Sequence, residues 1–203
     1  MARSSPPFLY VIAGPNGSGK STLAAQLRAE IPGAPKIWIN ADEIAIRLRD
    51  ESSDKADKAL AAAIEADRLR HAALEAGRDL ITETVMSSAR WAPFFQKAAA
   101  RGYRIVLYFV TTSDAAINVA RVRARVERGG HDVPEARIRS RYKKVMEDVL
   151  PSVLPLTHMA YFFDNSGSAS GKHLVAVYRD GRLRLRAEAR GSKLAGWLAG
   201  LMR

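Results

Sequence analysis

The chain of 203 residues contains no cysteine, which rules out disulfide staples and thiolate chemistry. That lack is compatible with a reducing cytoplasm, the expected location. No stretch approaches the roughly 18 uninterrupted apolar residues that a membrane helix requires, so no membrane partner is expected. Met1 to Pro7 is too short and too polar for a secretory leader and reads as a loose tail. No cluster of histidines has metal-ligand spacing. Acidic residues are scarce beside basic ones, 21 against 32, leaving a net charge of +11 that favours anionic partners. Eight basic and only two acidic residues fall between Lys172 and Arg203. A hydrophobic fraction of 47% is ordinary for a globular protein, and the length fits one domain spanning residues 1–203.

What is present begins with the apolar run Phe8–Ala13, followed by Gly14-Pro15-Asn16-Gly17-Ser18-Gly19-Lys20-Ser21-Thr22. This matches the phosphate-loop pattern G-x-x-x-x-G-K-[ST] at every fixed position. Glycines let the backbone wrap a polyphosphate, and Lys20 can reach its β- and γ-phosphates. The Ser21 hydroxyl can ligate Mg²⁺, and the helix starting at Lys20 turns its positive end toward the anion. A nucleoside triphosphate with Mg²⁺ is therefore the expected ligand. The Walker-B pattern of ATPase motors, four apolar residues and then Asp, is not evident, nor is an arginine finger in a sensor-like domain. Both absences weaken a motor reading.

Strand-length apolar runs alternate with helical patterns. Strands are expected at Phe8–Ala13, Lys36–Ile39, Asp79–Glu83, Arg104–Val110 and Met159–Phe163. Helices are expected at Lys20–Glu30, Asp42–Arg49, Lys55–Ala76, Ala89–Ala100, Ala115–Arg128 and Glu135–Val149. The alternation implies an α/β fold of the phosphate-loop NTPase kind, an open, mostly parallel sheet with helices on both faces. Asp180-Gly181 between His173–Tyr178 and Arg182–Ala187 predicts a hairpin, and Lys193–Met202 a short closing helix. In Arg182-Leu183-Arg184-Leu185-Arg186 a strand puts the arginines on one face. A solvated face is the simpler reading. A nucleic-acid or protein-binding patch is the other, without aromatic interleaving to support base stacking.

Ligands of such sheets bind beyond the carboxyl ends of the strands, so polar residues there carry most weight. Asp42, in Asn40-Ala41-Asp42-Glu43, could take the proton of a substrate hydroxyl attacking the γ-phosphate, or cap the following helix. Glu83 and Thr84 close the third strand. Glu83 could orient Mg²⁺-bound water or hold a substrate hydroxyl, and Thr84 could hydrogen-bond substrate. Ser87-Ser88 reads as a cap for the next helix. Arg121, Arg125 and Arg128 share one helical face, and Arg137, Arg141 and Lys144 share another. Joined through Gly129-Gly130-His131-Asp132-Val133-Pro134, these helices make a lid-like segment over residues 120–145, suited to charge developing on a transferring phosphoryl group. His131 could touch a phosphate or hold the turn.

These residues together resemble the zeta-toxin family of phosphate-loop kinases. The resemblance rests on Gly14–Thr22, Asn40-Ala41-Asp42-Glu43, Glu83-Thr84, and Arg125–Glu135 with Arg141-Tyr142. It implies a kinase moving the γ-phosphoryl of ATP to a UDP-activated amino sugar, with Asp42 as general base. It further implies that Lys20 and Ser21 hold ATP·Mg²⁺, that Glu83 and Thr84 engage substrate, that lid arginines (Arg125, Arg128 and Arg141 here) stabilise the γ-phosphate, and that an antitoxin protein is a possible partner. Val85 stands where the family often has a second threonine, and the chain is shorter than the long toxins. A kinase for another metabolite or a nucleoside, and a nucleotide-dependent module that binds nucleic acid or protein, are the competing readings.

Overall fold

A computed structural model describes residues 5–30, 35–48, 55–167 and 171–202. Residues 1–4 of the expected tail lie outside them. The strands are β1 (Phe8–Ala13), β2 (Ile37–Asn40), β3 (Leu80–Thr84), β4 (Arg104–Thr111), β5 (Met159–Asp164), β6 (His173–Arg179) and β7 (Arg182–Leu185). They form one sheet in the order β2-β3-β1-β4-β5-β6-β7. The first five strands pair in parallel through crossover segments, while β6 and β7 join antiparallel at the edge. The expected hairpin thus extends the main sheet. Asp180 and Gly181 both have positive φ, 49° and 80°, which the tight turn between Arg179 and Arg182 requires.

The helices are α1 (Lys20–Glu30), α2 (Ala41–Arg47), α3 (Lys55–Glu75), α4 (Trp91–Ala100), α5 (Ala115–Glu127), α6 (Glu135–Lys144), α7 (Leu150–Val153) and α8 (Lys193–Leu201). About half of the expected boundaries shift by one or two residues, and Arg49, the expected end of α2, lies outside the described residues. α2 starts at Ala41, because Asn40 caps it by accepting from the Asp42 N–H. Asp42 is therefore in the first turn and is not the cap. α4 starts at Trp91, two residues late, with Arg90 at the cap position. Past Lys144 the expected long helix widens into a π turn, Val145–Val149. Pro151 and Pro155, which have no N–H to donate, lie just beyond it.

The two faces of the sheet are covered unequally. Leu9, Val11 and Ala13 of β1, Ile105, Leu107 and Phe109 of β4, and Ala160 and Phe162 of β5 share the main core with residues of α3, α4, α7 and α8. The alternate side chains Ile12, Ile81 and Val110 form a smaller cluster with Leu23 and Ala24 of α1. Helix α1 packs on β1 and β3. Parallel pairing brings the carboxyl ends of these strands to one edge, with Ile12 opposite Glu83 and Asn40 opposite Glu83.

The chain leaves α3 for β3 through Gly77, with φ 62°; the Arg78 N–H reaches the Ala73 carbonyl at 3.0 Å and the Gly77 N–H reaches that of Leu74 at 3.2 Å. A Cβ on Gly77 would meet nothing within 4 Å, so only its left-handed backbone opposes substitution. Gly77→Ala should therefore fold and lose about 1 kcal/mol in urea unfolding, with an unchanged m value.

Candidate active site

The loop between β1 and α1 is shaped by what lies against it. Gly14, Gly17 and Gly19 have φ of 151°, 76° and 95°. A Cβ on Gly14 would stand 1.9 Å from the Val110 carbonyl oxygen, and one on Gly17 2.6 Å from that of Asn118. Two asparagine amides hold the loop from outside. The Asn118 Nδ2 of α5 donates to the Asn16 carbonyl at 2.5 Å, and the Asn165 Nδ2 after β5 donates to the Ser18 carbonyl at 2.8 Å. Thr112 bonds the Oδ1 of Asn118, orienting its amide. Inside the loop the Ser18 Oγ is fully buried without a hydrogen-bond partner.

At the carboxyl end of β3 the Glu83 carboxylate is shared. The Ser21 hydroxyl donates to one oxygen at 2.8 Å, and the Asn40 amide donates to the other at 3.0 Å. Burial pushes the Glu83 carboxyl up, partly opposed by the Ser21 bond and by the Lys20 charge. Lys20 Nζ donates to the Pro15 carbonyl at 2.9 Å. Burial pulls its ammonium down to about 8; Glu83 and Asp42 oppose this, while Arg125 and Arg141 add to it. Asp42 is exposed at the mouth of the site, within the electrostatic reach of Lys20, Glu83 and Arg141. Thr84 accepts from the Met86 N–H at 2.9 Å, holding a turn in which Met86 has φ 56°; its own O–H can still donate. Ser88 Oγ lies a long 3.4 Å from the Arg90 N–H, a weak version of the expected cap.

The arginines of α5 and α6 separate into two sets. Arg141 Nη1 donates to the Asn16 side chain at 3.3 Å, and Arg125 Nη2 to the His131 carbonyl at 2.6 Å. Both are near enough to Lys20 to depress its ammonium. Arg137 stands close to Arg141 and, with burial, weakens its hold on the proton. Arg128 instead turns back to the Ala124 carbonyl of its own helix, 2.9 Å away. Arg121 reaches the Gly167 carbonyl at 3.2 Å. His131 contributes its carbonyl to the turn, and its ring is exposed. Gly130 lies against Arg125: an added Cβ would come 2.6 Å from that side chain's Cγ.

Residues 9–148 match the sequence profile of a family described as an AAA domain. The chain belongs to that family. An uncharacterized protein of Haemophilus influenzae is 32% identical over 129 residues, covering 64% of this chain and 88% of the relative. Among solved structures the AvrRxo1-ORF1:-ORF2 complex with ATP superposes with a TM-score of 0.68 at 18% identity, covering 95% of this chain. The chain spans only 64% of that protein's length. The PezAT toxin-antitoxin system of Streptococcus pneumoniae gives 0.60 at 14% identity, covering 98% of this chain and 80% of that one. A putative kinase of Chloroflexus aurantiacus gives 0.56 at 18%, covering 68% and 78%. These likenesses establish the phosphate-loop fold.

Several functional-site residues of this AAA-domain chain were not singled out in the sequence. Asn118 sits four residues before Val122, so an amide lies on the apolar stripe of α5, a signal that a helical wheel exposes. Asn165 directly follows β5, at the strand edge where ligands bind, inside a Ser- and Gly-rich loop. The capping role of Asn40 was hidden behind Asp42. Ser21 and the orphaned Ser18 hydroxyl suit a Mg²⁺-bound polyphosphate, as does the buried ammonium of Lys20. Among the described residues no group of three acidic or histidine side chains could hold a metal by itself.

Two outcomes follow from this geometry. Gly14→Ala, facing a backbone oxygen it cannot displace, should abolish ATP binding in calorimetry while the chain remains folded by circular dichroism. Lys20, at about 8 in the free protein, should regain its proton beside an anion. Triphosphate binding above about pH 8 should therefore take up protons, and its affinity should fall as pH rises. Calorimetry in buffers of different ionisation enthalpy measures that uptake directly; no uptake would contradict the placement of Lys20.

Proposed function

We propose that the chain is an ATP-dependent kinase that transfers the γ-phosphoryl group to a hydroxyl of a small molecule, in the manner of the zeta-toxin family. The observation that carries this is the position of Asp42: an exposed carboxylate at the mouth of a phosphate loop, beside Lys20, Glu83 and Arg141. A structural carboxylate would be paired or capping, and here Asn40 already caps the helix.

The loop backbone from Gly14 to Thr22 cradles the phosphates, and Lys20 neutralises charge at the β–γ bridge. Ser21 and Glu83 are the residues that would hold Mg²⁺ and its water, Asn40 keeping Glu83 aimed. When bound, the ion would screen the phosphate charge. Asp42 accepts the proton of the acceptor hydroxyl as that oxygen forms a bond to the γ-phosphorus. The bond from phosphorus to the β–γ bridging oxygen breaks, and ADP leaves with that electron pair. Arg125 and Arg141 face the charge that spreads over the γ-phosphoryl oxygens. Arg128, turned back onto its own helix, takes part only if the lid rearranges.

For the acceptor we favour a sugar nucleotide such as a UDP-N-acetyl amino sugar. Arg137 is exposed beside Arg141 and could meet the diphosphate of such a molecule, with Thr84 and His131 left to contact the sugar. The AvrRxo1-ORF1:-ORF2 complex and PezAT, whose fold this chain shares, occur with protein partners, and an antitoxin-like protein is a reasonable counterpart for this chain. A workplace in the cytoplasm, where ATP and sugar nucleotides are held, suits both readings.

An ADP-release screen over UDP-sugars, nucleosides and simple sugars should find an acceptor that stimulates turnover. On that acceptor Asp42→Ala should lower kcat about 10²- to 10⁴-fold with little change in ATP affinity. Near-full turnover by Asp42→Ala would remove the base assignment. A screen without any stimulating hydroxyl would count against the kinase itself.

A further inference from the structure

In α/β folds with parallel sheets, helices cover both faces. Here, among the described residues, the face that carries α1 is only partly covered beyond β1. Pairing and alternation set one row of side chains across it, Tyr108, Tyr161, Val177 and Arg184, and a second, Val106, Met159, Arg179 and Arg182. Tyr10 and Phe8 of β1 border these rows, and Phe163 lies above them. All the apolar members are part-exposed, although they sit in the middle of the sheet. Their opposite-face neighbours Leu107, Phe109, Ala160, Phe162 and Ala176 are completely buried. Among the described residues, this half of the face is thus less fully covered than the other.

The rim is basic. Arg104, Arg182 and Arg184 are exposed and make no ion pair among the described residues, while Arg179 pairs with Asp180 at 3.4 Å. This combination selects the occupant. A second copy of the chain, at net charge +11, would bring arginines against arginines across a two-fold contact. Nucleic acid would suit the charge but needs free ring faces on which bases can stack. One face of each ring is already taken: the Tyr108 and Tyr161 rings stack on each other at 5.1 Å and 12°, and Phe8 stacks on Tyr10 at 5.5 Å and 11°. What they offer outward is ring edges and hydroxyls, a surface that accepts aliphatic side chains.

We infer that the α1-side face of β4–β7 is the docking surface for an acidic amphipathic helix of a partner protein. The helix would complete the cover over Tyr108, Tyr161 and Val177 and place its carboxylates against Arg104, Arg182 and Arg184. The eight residues of β4 run about 26 Å, the length of a helix of about 18 residues. This inference stands apart from the phosphoryl-transfer reading, because none of its residues belongs to the phosphate-loop site.

The test selects binders from a displayed library of amphipathic helices of about 18 residues on the full-length chain. We expect enrichment of sequences with Glu or Asp flanking a Leu/Ile stripe. Their affinity should weaken about tenfold or more for Arg182→Glu/Arg184→Glu and for Tyr161→Lys, and fall with added salt. ATP binding, measured in parallel, should be unchanged in both variants, which separates lost docking from lost folding. The inference is overturned if no acidic helix is enriched, or if enriched helices keep their affinity for these variants. It is equally overturned if a single-stranded oligonucleotide, or a second copy seen in sedimentation, is what the substitutions displace.

Discussion

A single buried carboxylate ties the site together. Glu83 takes one hydrogen bond from Ser21 at the start of α1 and another from Asn40 at the end of β2. Three elements that are far apart in the chain therefore meet on its two oxygens. A buried carboxyl without donors is costly, and Glu83 is held where desolvation works against its charge. Its two donors offset that cost only in the arrangement in which β3 lies between β1 and β2. The strand order is thus a condition for the chemistry as well as for the core.

The remaining geometry builds outward from that point. Asn40 does two tasks, orienting Glu83 with its amide and capping α2 with its oxygen. The second places Asp42 in the first turn of a short helix, on the rim and not in the interior. On the other side of the loop, Asn118 and Asn165 fix the backbone from β4–α5 and from β5. The phosphate loop is therefore braced by all of its neighbours.

Much of this was legible in the sequence because its signals are local. The loop pattern is eight consecutive residues, the alternation of strands and helices follows period, and Asp180-Gly181 states its turn directly. Sorting the arginines was not legible. Helical spacing gives Arg125 and Arg128 to one face, but only the fold shows Arg128 bonded to Ala124 while Arg125 reaches across the turn to His131. Asn118 escaped notice for a similar reason, since its partners Asn16 and Thr112 belong to other elements. The uneven coverage of the sheet was also out of reach: alternation in β5 and β6 says that two faces exist, not that one is less fully covered than the other.

The bonds from Asn118 and Arg141 to Asn16 couple α5 and α6 to the loop. Linkage then runs in both directions. Any influence that orders α5 and α6 tightens the grip on triphosphate by the same factor with which triphosphate orders those helices. Substitutions in the apolar cluster that Val122 of α5 shares with Ile138 of α6, outside the loop, would thereby become adjustments of nucleotide affinity. Such changes would alter how strongly the loop holds a polyphosphate without touching a residue of the loop.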